Sequence, residues 1–178
     1  SVLHAPSSIL AAAIGLAAVF TSAMVYVDTK RPFWNAPITF GNFYGTTLLL
    51  GATFAAVIFG WLGKFNFAQP FAIAALVIRT TLFVWRRLKI RAALQDDSSP
   101  IHLNARVIRE LLPWTTQART ALFAASTTFG LLAIFNVAQL APWWATGAML
   151  TTLSSELVGR YVFFAASASK RMPGGFAA

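Results

Sequence analysis

The stretch Trp143–Ser169, WWATGAMLTTLSSELVGRYVFFAASAS, is an apolar run of about 27 residues with Glu156 and Arg160 inside it. A helix rises ~1.5 Å per residue, so about 20 residues cross the ~30 Å hydrocarbon core of a bilayer. The run is long enough to span. One charge at bilayer depth costs at least ~3 kcal/mol on insertion scales. Glu156 and Arg160 stand four residues apart with the acid first, the favourable i, i+4 order on one helix face. Two such charges need partners and mark a functional candidate.

The rest of the chain agrees with a bilayer. Of its 178 residues 57% are hydrophobic and only 11% charged, with a mean hydropathy of +0.66. That is too apolar for a domain that must cover itself with polar side chains. The net charge of +9 does not suggest nucleic acid, because the basic residues sit at the ends of apolar runs and line no polar face. With no cysteine, thiolate ligation of an iron–sulfur cluster, a disulfide and a thiol nucleophile are excluded. The first residue is Ser1, with no initiator methionine and no signal-peptide pattern, and the sequence is expected to lack an N-terminal portion.

The predicted fold is all-α: one membrane domain over residues 1–178, a polytopic transmembrane bundle of about five spans. They are placed at 7–27, 40–63, 68–87, 114–140 and 143–169. Span one is rich in Ala11, Ala12, Ala13, Gly15, Ala17 and Ala18, which suits close helix packing, and its faces are expected to be mostly covered. The segment Asp28–Thr39 reads as an interfacial loop with Phe33 and Trp34 as aromatic anchors. A turn around Lys64–Asn66 makes spans two and three antiparallel neighbours. Span three carries Arg79 and leaves through Arg86, Arg87, Lys89 and Arg91, with its helix projecting to about Leu94. Asp96–Pro100 breaks it. Ile101, Leu103, Val107, Ile108, Leu111 and Leu112 then form one face of a short amphipathic helix, lying on the membrane or under a partner.

The chemistry available is narrow. The histidines are His4 and His102, neither at mid-membrane depth, so a haem held by this chain alone is not expected. No carboxylate and histidine cluster suggests a metal site, and no glycine loop has a nucleotide-binding context. The buried charges remain. Arg79 and Glu156 fall at similar depth by helical rise, so Arg79, Glu156 and Arg160 form one predicted cluster. It is either an ion pair locking helices together or a group that positions a quinone carbonyl and relays protons. Tyr26, Tyr161, Asn136 and Gln139 are auxiliary donors.

The block Ser154–Phe164, SSELVGRYVFF, resembles the final helix of the dimethyl sulfoxide reductase membrane-anchor subunits. The block Ser22–Trp34, SAMVYVDTKRPFW, with Phe40–Gly51 after it, is similar to a central helix and loop of the same family. The resemblance spans essentially the whole chain and matches the last five helices of an anchor that typically has eight. It implies a non-catalytic, quinone-reactive subunit without haem or cluster of its own. Such a subunit exchanges electrons between menaquinone or ubiquinone and a ferredoxin-like iron–sulfur subunit, which serves a molybdopterin catalytic subunit. The family's quinol-site histidine lies in the earlier half and carries over to neither His4 nor His102. Arg79, Glu156, Arg160 and Tyr26 are the candidate quinone or proton-relay residues. Lys30, Arg31, Trp34, Arg86, Arg87, Arg106 and Arg109 are the candidate docking residues. Other classes open on the residues alone are a transporter or channel subunit and a structural helix bundle of a respiratory or photosynthetic complex.

Basic residues gather on one side: the Asp28 loop, the Arg86–Arg109 connector and the tail with Lys170 and Arg171, against Lys64 alone on the other. The positive-inside rule puts the C-terminus in the cytoplasm of a bacterial inner membrane, favouring relatives whose catalytic subunits stay inside. A fluorescent protein fused at Ala178 should therefore glow and a fused alkaline phosphatase stay inactive; the reverse pattern would overturn this topology.

Overall fold

The computed structural model describes residues 4–135 and 140–167, and among these residues there are six α-helices and no strand. They are α1 (His4–Val27), α2 (Ala36–Trp61), α3 (Phe65–Gln95), α4 (His102–Glu110), α5 (Pro113–Phe135) and α6 (Ala141–Ala165). A 3-10 turn over Pro32–Trp34 lies between the first two. Helices α2, α3, α5 and α6 close a ring, each packed on the next, with α1 attached outside on α2. The short α4 lies across one end of the ring beneath α3 and α5.

Local chemistry sets the helix ends. Asn35 caps α2, its Oδ1 accepting the Ile38 N–H at 3.1 Å. Pro37 therefore falls in the first turn, where no N–H is needed. The helix consequently starts at Ala36, earlier than the span expected from Phe40, because proline breaks a helix interior but not its opening turn. At its other end Gly63 takes φ +69°. Its N–H reaches Gly60 O at 3.0 Å and the Lys64 N–H reaches Phe59 O at 2.9 Å, the paired bonds of a Schellman stop. The turn is thus Leu62–Lys64, slightly before the expected Lys64–Asn66, and α3 begins at Phe65 with Pro70 inside it. Helix α3 continues to Gln95, past the apolar run as expected, and ends where Asp96 becomes extended.

Four helices are long and apolar enough to cross a membrane: α1 from Pro6, α2, α3 and α5. The fifth expected span, 143–169, corresponds to α6, which is long enough at 25 residues but is not among those four. Its Thr, Ser, Glu and Arg residues lower its apolarity below theirs. The ring compensates for this: Ala145, Ala148, Thr152 and Glu156 are buried against neighbours, and the Thr146, Thr151, Thr152 and Ser154 hydroxyls donate to carbonyls four residues back. Polar groups at membrane depth persist only when covered and paired in this way.

Aromatic rings mark both ends of the ring. Trp61 and Trp143 meet edge to face at 4.8 Å, while Trp34 and Phe163 stack at 5.7 Å at the other end. From Trp143 to Phe163 along α6 is ~30 Å by helical rise, one hydrocarbon thickness. The Trp34 loop, the end of α3, α4 and the end of α6 share the second end. There Ile108 of α4 packs against Val162 and Ala166, and the Asn104 side chain donates to Ala166 O at 2.6 Å, capping α6. The amphipathic connector is therefore part of the bundle end.

One expectation for α1 fails within the described residues. Its small residues Ala11–Ala18 are exposed, and burial comes only near its end at Ala23. Contacts come from Phe20 stacked on Phe40 at 5.5 Å and from the Tyr44 hydroxyl donating to Leu16 O at 3.3 Å. Along most of its length α1 meets one flank of α2, and only at its end does Tyr26 reach Phe163 and Phe164 of α6.

Helix α3 presses side chains onto the backbone of α2 at Gly41 and Gly45. A Cβ at Gly41 would lie 2.6 Å from the Trp85 ring, and one at Gly45 2.5 Å from Leu82 Cδ2. This small-xxx-small pair makes room for those side chains. Gly45→Leu should lower the stability of the bundle by ~1–3 kcal/mol through overpacking, read as a reduced thermal midpoint in detergent. Gly51→Ala, whose Cβ meets nothing within 4 Å, should leave that midpoint unchanged or raise it.

Candidate functional site

Three helices deliver short polar side chains to one point. Asn42 and Thr46 project from α2 one turn apart, Arg86 comes from α3, and Glu156 from α6. Arg86 forks onto the carboxylate, Nη1 donating to Oε1 at 2.8 Å and Nη2 to Oε2 at 3.0 Å. Its Nε donates to Asn42 Oδ1 at 2.9 Å. The Thr46 hydroxyl donates to Glu156 Oε2 at 2.6 Å. A bidentate guanidinium–carboxylate pair is the strongest and most directional ion pair available to side chains. Glu156 is buried and so is most of Arg86, so each charge is held by the other.

The predicted triad is thereby rearranged. Arg79 stands seven residues before Arg86 on the same face of α3, ~10 Å lower by helical rise, and only the upper arginine reaches Glu156. Arg79 is itself buried. Its Nη1 donates to Ser126 O at 2.6 Å and its Nη2 to Thr152 Oγ1 at 2.5 Å, while Nε has no partner among the described residues. Arg160 does not complete an i, i+4 bridge to Glu156. Its guanidinium lies 3.9 Å over the Phe43 ring instead, because Arg86 already occupies both carboxylate oxygens. Tyr26 sits beyond that ring in an aromatic nest, 5.6 Å from Phe43 and 5.3 Å from Trp34. Tyr161 is half exposed against Trp114. Asn136 and Gln139 lie outside the described residues.

Arg119 of α5 completes the arrangement. A Cβ at Gly159 would come within 3.2 Å of its Nη2, so the glycine makes room for the guanidinium. Arg86, Arg119, Glu156 and Arg160, with Asn42 and Trp85, line a cavity of about 70 Å³ that extends toward Lys89 and Ile101 at the polar end. A second space of about 20 Å³ separates Arg79 from Glu156.

The expected docking residues divide. Trp34 is inward: it is buried and its Nε1–H donates to Phe163 O at 3.0 Å, so it ties the first loop to α6 and offers no docking surface. Arg86 is inward as well, committed to Glu156. Arg31 lies over the Trp34 ring and reaches Ser167, and Arg87 donates to the Thr120 hydroxyl. Lys30, Arg106 and Arg109 remain exposed. Arg106 pairs with Glu110 at 3.1 Å, and that hydrogen bond holds the Glu110 carboxyl below its ordinary range. His102 Nδ1–H donates to Ala93 O at 2.8 Å and fixes the connector to the end of α3.

Sequence reasoning reads Arg86 as a basic residue leaving the membrane and a docking candidate, and gives Arg119 no place in the cluster. The available signal was spacing: Arg79 and Arg86 two turns apart on one face, and Asn42 and Thr46 one turn apart.

A model of the DMSO reductase anchor subunit (DmsC) family matches residues 2–166. The chain belongs to this family. The match takes in every helix of the bundle, including the buried ion pair. No curated protein and no solved structure matches the chain. As a DmsC-family anchor it is a multi-pass membrane protein and the membrane subunit of a DMSO reductase-type molybdoenzyme.

Removing one member of a buried pair strands the other charge. Arg86→Ala and Glu156→Ala should each destabilise this DmsC-family chain by ~3–5 kcal/mol. The double variant should cost clearly less than the two added together, measured as a double-mutant cycle of thermal or denaturant unfolding.

Proposed function

We propose that this anchor passes electrons between the quinone pool and an iron–sulfur, ferredoxin-like subunit that serves a molybdopterin catalytic subunit. Within it the Glu156 cluster handles protons. The observation that carries this reading is a carboxylate ~10 Å inside the bundle end, held by Arg86 and Thr46, at a cavity that leads from it toward the connector. Quinone reduction takes up two protons with two electrons, so a quinone-reactive subunit needs a route for protons between the aqueous edge and membrane depth.

The residues have the donor chemistry of a quinone carbonyl site, but the space does not hold a ring. A volume of about 70 Å³ holds a few waters, whereas small-molecule pockets run from ~300 Å³ upward. Glu156, Arg160 and the cavity therefore form the hydrated proton side of the exchange, and the ring, menaquinone or ubiquinone, is seated elsewhere in the complex. Tyr26 acts through the Phe43 ring, shaping the aromatic wall on which Arg160 rests. Lys30, Arg106 and Arg109 at the same end present the positive charge that meets the partner subunits, on the cytoplasmic side of a bacterial inner membrane. A transport path is less well supported: the spaces beside Arg79 hold about 20 Å³ each, room for a single water.

Glu156→Gln keeps the shape and removes the proton-carrying group. In the intact complex, quinol-linked turnover should fall at least tenfold while dye-coupled turnover of the catalytic subunit stays within twofold. Glu156→Asp should recover part of the loss. Unchanged quinol-linked turnover in Glu156→Gln overturns the relay.

A further inference from the structure

A second, larger cavity of about 350 Å³ opens between α3, α4 and α5. It lies at the same end as the Glu156 cavity and shares a wall with it at Arg86, Ile108 and Arg119. Five arginines line it: Arg86, Arg87 and Arg91 from α3, Arg109 from the last turn of α4, and Arg119 from α5. Glu156 neutralises Arg86 from the far side. Among the described residues no carboxylate pairs with the other four; the remaining acid–base pairs are His102 with Asp97 and Arg106 with Glu110. Four like charges converging on one space call for an anion that this chain does not supply.

The surroundings identify the class of anion. The floor is Phe83, stacked on Phe123 at 4.0 Å, and the rim includes Pro113 and Thr116, where α5 starts its apolar run. The space therefore sits at headgroup level. Beside it on α3, at the height of Arg87, Val84 and Leu88 are exposed, apolar surface of the kind that acyl chains cover. Trp114, between the lining residues Pro113 and Thr115 in sequence, is exposed as well, a residue type enriched at the membrane interface. Basic pockets between membrane helices bordered by such surface suit phospholipid headgroups. An acidic segment of a protein partner would fill the arginine-lined space but leave that apolar surface uncovered.

We propose that this cavity binds the phosphodiester headgroup of an anionic phospholipid, with Arg87, Arg91, Arg109 and Arg119 as its donors. Arg119 is the deepest of them. It also borders the Glu156 cavity, so the bound phosphate balances charge next to the ion pair.

The test uses the intact detergent-purified complex, washed and analysed by lipid phosphorus and native mass spectrometry. It is then titrated with vesicles of dioleoylphosphatidylglycerol, vesicles of dioleoylphosphatidylcholine, or inorganic phosphate alone. One anionic phospholipid per complex should survive washing. Phosphatidylglycerol should raise the melting temperature of the delipidated complex, and phosphatidylcholine and phosphate should not. Arg91→Gln, at an exposed position, should reduce retained anionic lipid at least fivefold with the partner subunits still bound. Equal lipid retention in that variant overturns the proposal. Protection by phosphate alone, which would make the ligand a free anion, overturns it as well. So does loss of partner subunits with lipid retention unchanged, which would assign the arginines to an acidic protein.

Discussion

A carboxylate inside a membrane bundle must be paired by something on another helix, and the way Glu156 meets that demand organises the fold. Arg86 satisfies both oxygens and Thr46 adds a third donor, which requires α2, α3 and α6 to converge at one height. The convergence fixes the rotation and vertical register of three helices at once. Apolar packing alone would set neither sharply, since a Leu or Ala interface slides by a residue at little cost. A bidentate pair does not. The ion pair therefore contributes specificity of arrangement more than net stability.

The two ends of the bundle carry different duties. Near Gly63 the helices turn tightly, and the Trp61 indole donating to the Thr146 hydroxyl at 3.2 Å joins α2 to α6. At the other end nearly every long-range hydrogen bond crosses between elements: Trp34 to Phe163, Arg31 to Ser167, Asn104 to Ala166. Both arginine-lined cavities open there. The charge asymmetry that reads as a topology signal in the sequence is thus also a functional asymmetry in the structure.

The bundle was legible because its signals are local. Long uncharged runs, the proline and glycine punctuation and the amphipathic connector each depend on residues within a turn or two of one another. Glu156, Arg160 and Arg79 stood out for the same reason, as charges within apolar runs. Which arginine meets Glu156 was not legible, since it depends on the rotation of α3 against α6, and Arg86 looked like one more basic residue leaving the membrane. Trp34 failed similarly: a tryptophan before a span resembles an interfacial anchor, and its bond to a carbonyl 129 positions away has no sequence signature. The small residues of α1 did signal packing, but a signal of that kind names no partner.

The polarity of α6 has a consequence for how the protein is made. A segment less apolar than its four companions gains little from entering lipid by itself, and with Glu156 uncompensated it would be resisted. Its insertion becomes favourable once Arg86 and Thr46 are waiting on helices already across the bilayer. Helix α6 is therefore admitted by the earlier ones, and its integration reports that α2 and α3 have reached their places.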